Sequence, residues 1–140
     1  MLNTRVFQDF ERSFNHFFDE CERGFTNELI ISMFCRIYTP NKTVISYKSN
    51  VKEMYFIRQG MVELYTNEGS DDSSHAKPFI FLPKYSYFGD YHILYNLKSN
   101  IVFKTLNVDK HGSAKHEQVP DIIFMCVSKT TMLNLCDLFP

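Results

Sequence analysis

The chain has 140 residues, of which 44% are apolar and 22% are charged, with a formal net charge of −1. This length predicts one globular domain that buries about two thirds of its unfolded surface. The balanced charge argues against a nucleic-acid groove or a polybasic membrane patch, because both need a clustered excess of Lys and Arg.

The first 36 residues are predicted to be helical. Their apolar residues recur at the spacing of one helical face, namely Val6, Phe10, Phe14, Phe17 and Phe18. Gly24 is predicted to interrupt this pattern, and residues 26–28 are typical of a new helix N-terminus. The second helix is expected to run through Phe34. Two compatible roles follow, an amphipathic lid over a barrel and a linker that carries motion to another module.

From Tyr38 onward the apolar pattern becomes that of strands. Short β-rich runs separated by turn signals are predicted at residues 43–47, 54–57, 61–65, 79–82, 101–106 and 122–127. The second and third runs flank Gly60, as in a hairpin with glycine in the left-handed conformation. Residues 79–82 are expected to form a buried strand.

Two polar stretches, residues 66–77 and 107–120, are predicted to be solvated loops. Ser128 is predicted to cap a closing helix over residues 129–138. The predicted fold class is therefore mainly β with helical caps (α+β). It is a β-roll or jelly roll preceded by N-terminal helices and followed by one helix.

Several kinds of site and segment are not expected. No apolar run approaches the roughly 18 residues that span a membrane, and the N-terminus lacks the apolar core of a signal peptide. The four cysteines contain no C-x-x-C pair, so we predict reduced, mostly buried thiols and no zinc site. His111 and His116 have no third ligand nearby in sequence, and no metal site is predicted there.

Two segments carry a resemblance to a known family. Residues 52–60 (KEMYFIRQG) are similar to the family motif K-E-M-Y-(I/F)-I-x-x-G, and residues 88–90 (FGD) resemble the F-G-E/D opening of a phosphate-binding cassette. The chain thus resembles the cyclic-nucleotide-binding domain of gated ion channels, cyclic-nucleotide-dependent kinases and bacterial transcription regulators.

Three further segments extend the resemblance over nearly the whole chain. Residues 35–45 are similar to the first strand of the family, and residues 134–140 to its helix after the barrel. Residues 94–100 (LYNLKSN) are close to the N-L-Y … K-S-N of ether-à-go-go-type potassium channels.

The resemblance implies a helical linker or lid segment, residues 1–36, followed by a β-roll cyclic-nucleotide-binding-like domain, residues 37–140. It implies a cytosolic regulatory domain of a cyclic-nucleotide-gated or ether-à-go-go-like potassium channel, on the cytoplasmic face of the membrane. The expected partners are other domains or subunits of that channel, with no nucleic acid. The fragment itself is not expected to span the membrane.

The resemblance also implies a ligand site, composed of Phe88, Gly89, Asp90, Tyr91, Lys98, Ser99 and Asn100. Amides after Gly89 would receive part of the cyclic phosphate, since exposed amides at a helix start favour anions. Asp90 has two compatible interpretations, an acid for the ribose 2′-hydroxyl and a helix cap. Bulky Tyr91 and His92 stand where ligand-binding members often carry small or apolar residues.

The family's phosphate-binding arginine corresponds to Ser99 here. A charge-assisted hydrogen bond contributes roughly 1.5–3 kcal/mol, so its loss weakens binding by about one to two orders of magnitude. Lys98 offers a point charge rather than a planar fork. We therefore predict a degenerate pocket that does not bind cAMP or cGMP well, and no cofactor. The alternative is a functional cAMP- or cGMP-binding sensor of a channel or of a soluble signalling effector.

An enzyme is not predicted. The sequence has no Ser-His-Asp order, no Walker-type loop and no paired-carboxylate spacing. The close histidine pair with a downstream glutamate of a cupin-type metalloenzyme is also absent from the sequence.

Overall fold

A computed structural model describes residues 4–66, 78–106 and 120–140 of the chain. The two predicted polar loops, with His75, His111 and His116, therefore lie almost entirely outside the described residues. Within the described ranges, no helix has the length and apolar character needed to cross a membrane.

Five helices and eight strands make up the described part. The helices are α1 (Thr4–Ser13), α2 (Asn15–Phe18), α3 (Arg23–Ile31), α4 (Asp90–Leu94) and α5 (Lys129–Leu138). The strands are β1 (Phe34–Tyr38), β2 (Thr43–Ile45), β3 (Glu53–Gln59), β4 (Val62–Tyr65), β5 (Ile80–Leu82), β6 (Tyr87–Phe88), β7 (Val102–Thr105) and β8 (Ile122–Ser128).

The strands form two antiparallel four-stranded sheets. The first sheet has the order β1-β8-β3-β6, and the second has the order β2-β7-β4-β5. The chain passes from one sheet to the other at every connection except the one from β4 to β5, so it rolls around a shared interior. The predicted fold class, a β-roll with helical caps, is confirmed.

The predicted hairpin at Gly60 is wrong, although the glycine does adopt a left-handed conformation. β3 belongs to the first sheet and β4 to the second, so the turn carries the chain from one sheet to the other. Gly60 has φ +94°, and a Cβ there would lie 2.7 Å from Cγ1 of Ile122. Glycine is therefore required by both the dihedral angle and the close approach.

The helical prediction for the N-terminal region is correct in kind but wrong at two places. Residues 34–36 begin β1 instead of continuing a helix, because they pair with β8. Gly24 does not interrupt a helix but lies in the first turn of α3, which begins at Arg23. A Cβ on Gly24 would lie 2.7 Å from the ring of Phe139, so the glycine allows α3 to approach α5.

The N-terminal helices pack on the outer face of the first sheet. Phe56 of β3 has no exposed surface. Its ring centroid lies 5.7 Å from that of Phe10, 5.1 Å from that of Phe14 and 5.2 Å from that of Phe17. The predicted apolar helical face is confirmed for these phenylalanines.

Two further predictions, the burial of the strand at residues 79–82 and the cap of the closing helix, have opposite outcomes. The predicted buried strand β5 is an edge strand, and Ile80 and Phe81 are each 43% exposed, so the prediction of burial is wrong. The predicted cap of the closing helix is confirmed, since the Thr131 N–H donates to Oγ of Ser128 at 3.2 Å.

Candidate ligand-binding site at the cassette segment

The cassette segment, residues 88–100, enters α4 through a glycine that no other residue replaces easily. Gly89 is buried, with φ +94°, and a Cβ there would lie 2.7 Å from the backbone oxygen of Glu53. Gly89 is also the N-cap of α4, and Asp90 is the first helical residue. The interpretation of Asp90 as the helix cap is therefore wrong, while its half-buried carboxyl remains at the start of the helix.

Phe88 connects the two sheets through the interior of the roll. Its ring stacks on Tyr55 of the first sheet at 4.9 Å and on Phe103 of the second sheet at 4.8 Å. All three rings are at least 93% buried, since Tyr55 has 7% of its surface exposed and the other two have 4% each. This aromatic stack fixes β6 and fills the space between the sheets beneath α4.

Ser99 is enclosed, and both its hydroxyl and its backbone groups are hydrogen-bonded. The residue is 1% exposed, and its hydroxyl donates to the Ile101 carbonyl at 2.6 Å and accepts from the Ile101 N–H at 3.2 Å. Its backbone N–H donates to the Ser49 carbonyl at 3.0 Å, and its carbonyl accepts from the Lys48 N–H at 2.6 Å. Ser99, which the resemblance predicts to be the counterpart of the family's arginine, is thus a buried neutral turn residue.

The two sequence neighbours of Ser99 lie at the protein surface. Lys98 and Asn100 are both exposed. Lys98 forms an isolated antiparallel bridge with Asn50 through the backbone. The predicted site residues therefore differ in burial, since Phe88 and Ser99 are buried whereas Lys98 and Asn100 are exposed.

The bulky residues of α4 lie in different environments. Tyr91 is 58% exposed and lies on the outer side of the helix, where its ring is 4.8 Å from that of Tyr95. It does not fill the interior. His92 is half-buried, with its ring centroid 6.3 Å from that of Phe103, and it takes up the inner side of α4.

The described residues contain no group of three or more His, Cys, Asp or Glu side chains that is arranged to hold a metal ion. The chemistry of the segment is therefore that of helix-start amides, one carboxyl and aromatic rings. The first amides of a helix have no intrahelical acceptor and favour an anion, although a helix of one turn contributes only a small dipole.

Comparison with solved structures gives close matches to this architecture. The chain superimposes on cAMP-bound PfPKA-R (141–441) with a TM-score of 0.75 and 14% sequence identity, covering 96% of this chain and 43% of that one. It superimposes on the regulatory domain of Toxoplasma gondii PKA with cAMP with a TM-score of 0.74 and 12% identity, covering 96% and 46%. The C-linker/CNBHD of zELK channels gives a TM-score of 0.62 and 15% identity, covering 86% and 58%.

The chain has the fold of cyclic-nucleotide-binding domains. It spans about half of the length of the solved structures that it matches. No protein-family profile matches the sequence. No curated protein matches it either.

An ion pair between Arg36 and Glu53 joins two strands of the first sheet. Arg36 of β1 donates two hydrogen bonds to the carboxylate of Glu53 on β3, one of them from Nε to Oε2 at 2.7 Å. Burial raises the pKa of Glu53, but hydrogen bonds from Arg36 and Tyr55 outweigh it and lower the pKa below its usual range. The sequence pattern does not predict this pair, because it places Arg36 in a helix and because the approach of β1 to β3 across β8 depends on long-range register.

His92 gives a testable property of the segment, because its buried Nδ1 has no hydrogen-bond partner among the described residues. Burial lowers the pKa of His92, and the nearby Asp90 carboxylate opposes this effect only in part. The native state therefore takes up a proton at a lower pH than the unfolded chain, whose pKa is about 6.5. His92 therefore leaves the free energy of unfolding unchanged above about pH 6.5 and lowers it as the pH drops below that value.

We expect His92→Leu to reduce the loss of unfolding free energy between about pH 7.5 and about pH 5. The difference should stay under about 1 kcal/mol, because His92 is only half-buried and solvent screens part of the effect. Urea unfolding at both pH values measures it, with His16→Gln on the exposed His16 as the control. Equal pH dependence in wild type and His92→Leu would contradict the assignment.

Proposed function

We propose that this chain is a non-catalytic regulatory domain of a larger ion channel, and that its pocket does not hold cyclic nucleotide well. The observation that carries the proposal is the state of Ser99. At the position that the resemblance predicts for the family's phosphate-binding arginine, the chain has a neutral side chain that is 1% exposed and hydrogen-bonded within its own turn.

The physical argument concerns the charge of the ligand. A cyclic nucleotide carries one negative charge on its phosphate, and a guanidinium matches two phosphate oxygens with parallel N–H donors. Without it, the phosphate must rely on backbone amides of the five-residue α4. The missing charge-assisted contact is worth roughly 1.5–3 kcal/mol, or about one to two orders of magnitude in affinity.

The other residues of the segment support the same conclusion. Lys98 is exposed, and its backbone forms the bridge to Asn50. The stacked rings of Tyr55, Phe88 and Phe103 fill the interior beneath α4. We propose that Phe88, Gly89, Asp90, Tyr91, Lys98, Ser99 and Asn100 line what remains of the pocket.

The channel context is part of the proposal. It is supported by the similarity to the C-linker/CNBHD of zELK channels and by the KEMYFIRQG and LYNLKSN segments. In this view residues 1–36 couple the roll, residues 37–140, to other domains or subunits at the cytoplasmic face of the membrane. Upstream sequence with several apolar spans, one of them rich in arginine, would support it.

A second candidate function is a cAMP sensor of a soluble signalling effector. The observation that favours it is the pair of cAMP complexes, PfPKA-R and Toxoplasma gondii PKA, which match 96% of this chain. In this case the wild type would bind cAMP through helix-start amides and Asp90, without an arginine fork.

Calorimetric titration with cAMP and with cGMP distinguishes the two candidates. We expect no heat from the wild type up to about millimolar ligand, and binding at least about tenfold tighter by Ser99→Arg. Ser99→Lys is the matched control, because it adds the same charge without the fork. Micromolar binding by the wild type would overturn the degenerate pocket and favour the sensor.

The buried position of Ser99 makes a folding control necessary. Circular dichroism and a thermal melt of each variant show whether the larger side chain is accommodated. If Ser99→Arg does not fold, the wild-type titration alone decides between the candidates. In that titration Asp90→Ala is a second control, which should leave a non-binding protein unchanged and weaken a binding one.

A further inference from the structure

β1 is the terminal strand of the first sheet, and no strand pairs with its outer side in the part of the chain that the structure describes. Its first four residues are exposed, and only Tyr38 is half-buried. An edge of this kind presents a row of unpaired N–H and C=O groups that can accept another strand.

The outer face beside this edge is apolar. Cross-strand partners share a face of a sheet, so Cys35 lies on the same face as its partner Met125 and as Phe56, which carries the N-terminal helices. Ile37 follows on that face and is 63% exposed. We call Cys35 and Ile37 the edge strip, two exposed apolar side chains on one face of β1.

The residue order of β1 is self-complementary about Arg36. In an antiparallel pair of two copies centred on this residue, Phe34 lies opposite Tyr38 and Cys35 lies opposite Ile37. An aromatic pair therefore forms on the inner face and an apolar pair on the outer face, and both kinds of pair stabilise a sheet.

The charges at the centre of this pairing are also balanced. Two arginines facing each other would repel, but each Arg36 is already hydrogen-bonded twice to its own Glu53. The axis then passes between two neutral ion pairs and not between two free cations. A strand from an unrelated protein would match this arrangement only by chance, whereas a second copy matches it by symmetry.

We propose that two copies of this chain associate through β1, antiparallel about a two-fold axis at Arg36, and join their first sheets into one continuous sheet. The edge strips of both copies are then buried against each other. This association does not depend on nucleotide binding or on the channel context.

Sedimentation equilibrium of the 140-residue chain across a concentration series tests the proposal. We expect the wild type to dimerise, and the double variant Cys35→Lys with Ile37→Lys to raise the dimer dissociation constant by about tenfold or more, because like charges then lie directly opposite. Leu138→Lys is the matched control, since Leu138 is 71% exposed and lies far from β1 in sequence. A wild type that stays monomeric, or a dimer that the double variant leaves unchanged, would overturn the proposal.

Disulfide trapping tests the register even if the lysine variant does not fold. In Ile37→Cys the new thiol faces Cys35 of the second copy at a Cα separation of about 4.5–5.5 Å, within the range of a disulfide. Glutathione disulfide takes up the two electrons and two protons of the thiols and becomes two glutathione thiols. We expect a disulfide-linked dimer whose crosslinked peptides join Cys35 to position 37, and none from wild type or Leu138→Cys. Absence of that crosslink in Ile37→Cys contradicts the register.

Discussion

Replacing Phe56 by alanine is expected to lower the free energy of unfolding by about 3–5 kcal/mol, among the largest effects of any single truncation in this fold. The ring has no exposed surface and contacts the rings of Phe10, Phe14 and Phe17. Truncation removes the transfer free energy of the ring and leaves a cavity between β3 and the N-terminal helices, which the surrounding rings refill only in part.

Urea unfolding followed by far-ultraviolet circular dichroism measures the effect. Phe79→Ala is the matched control, because Phe79 is 47% exposed, and it should change the free energy of unfolding by less than about 1 kcal/mol. Hydrogen exchange adds a local test, in which amides of α1 and α2 should lose more protection than those of α5. An equal and small effect of the two substitutions would show that the helices do not depend on Phe56.

Replacing Gly89 by alanine is expected to lower the free energy of unfolding by about 2–4 kcal/mol. The backbone has φ +94°, which an L-residue adopts only under strain. The new Cβ would also lie 2.7 Å from the backbone oxygen of Glu53 and 3.3 Å from Cα of Met54. Neither backbone atom can move without disturbing β3, so α4 must shift away from the first sheet.

Gly24→Ala provides a control with the same change in chemistry. A Cβ on Gly24 would also have a neighbour at 2.7 Å, but that neighbour is the end of the Phe139 ring, which can rotate away. Gly24 lies within α3, where alanine favours the helix by about 1 kcal/mol. We expect Gly24→Ala to stay within about 1 kcal/mol of the wild type. Similar losses at the two glycines would contradict the role of the backbone clash at Gly89.

The site could be predicted from the sequence only as a segment. The order Phe88, Gly89 and Asp90 was enough to place a turn and a short helix, because glycine followed by an acid is a local signal. The burial of Ser99 could not be predicted, since it depends on the turn around Lys48 and Ser49 that pairs with its backbone. The exposure of Tyr91 likewise depends on which side of α4 faces Phe103.

The sequence by itself determined the properties that depend on neighbouring residues along the chain. Apolar spacing located the helical face of Phe10 and Phe14, β-rich runs located the strands, and Ser128 marked the start of α5. The motif at residues 52–60 pointed to the fold that the structure shows.

Only the tertiary structure decided how these elements pair. It assigned β3 and β4 to different sheets, turned residues 34–36 into an edge strand and joined Arg36 to Glu53. The physical reason is that strand pairing and burial are set by contacts between residues far apart in sequence, and local propensity is overridden where those contacts compete with it. The enclosed state of Ser99 and the terminal position of β1 in the first sheet both depend on such long-range contacts.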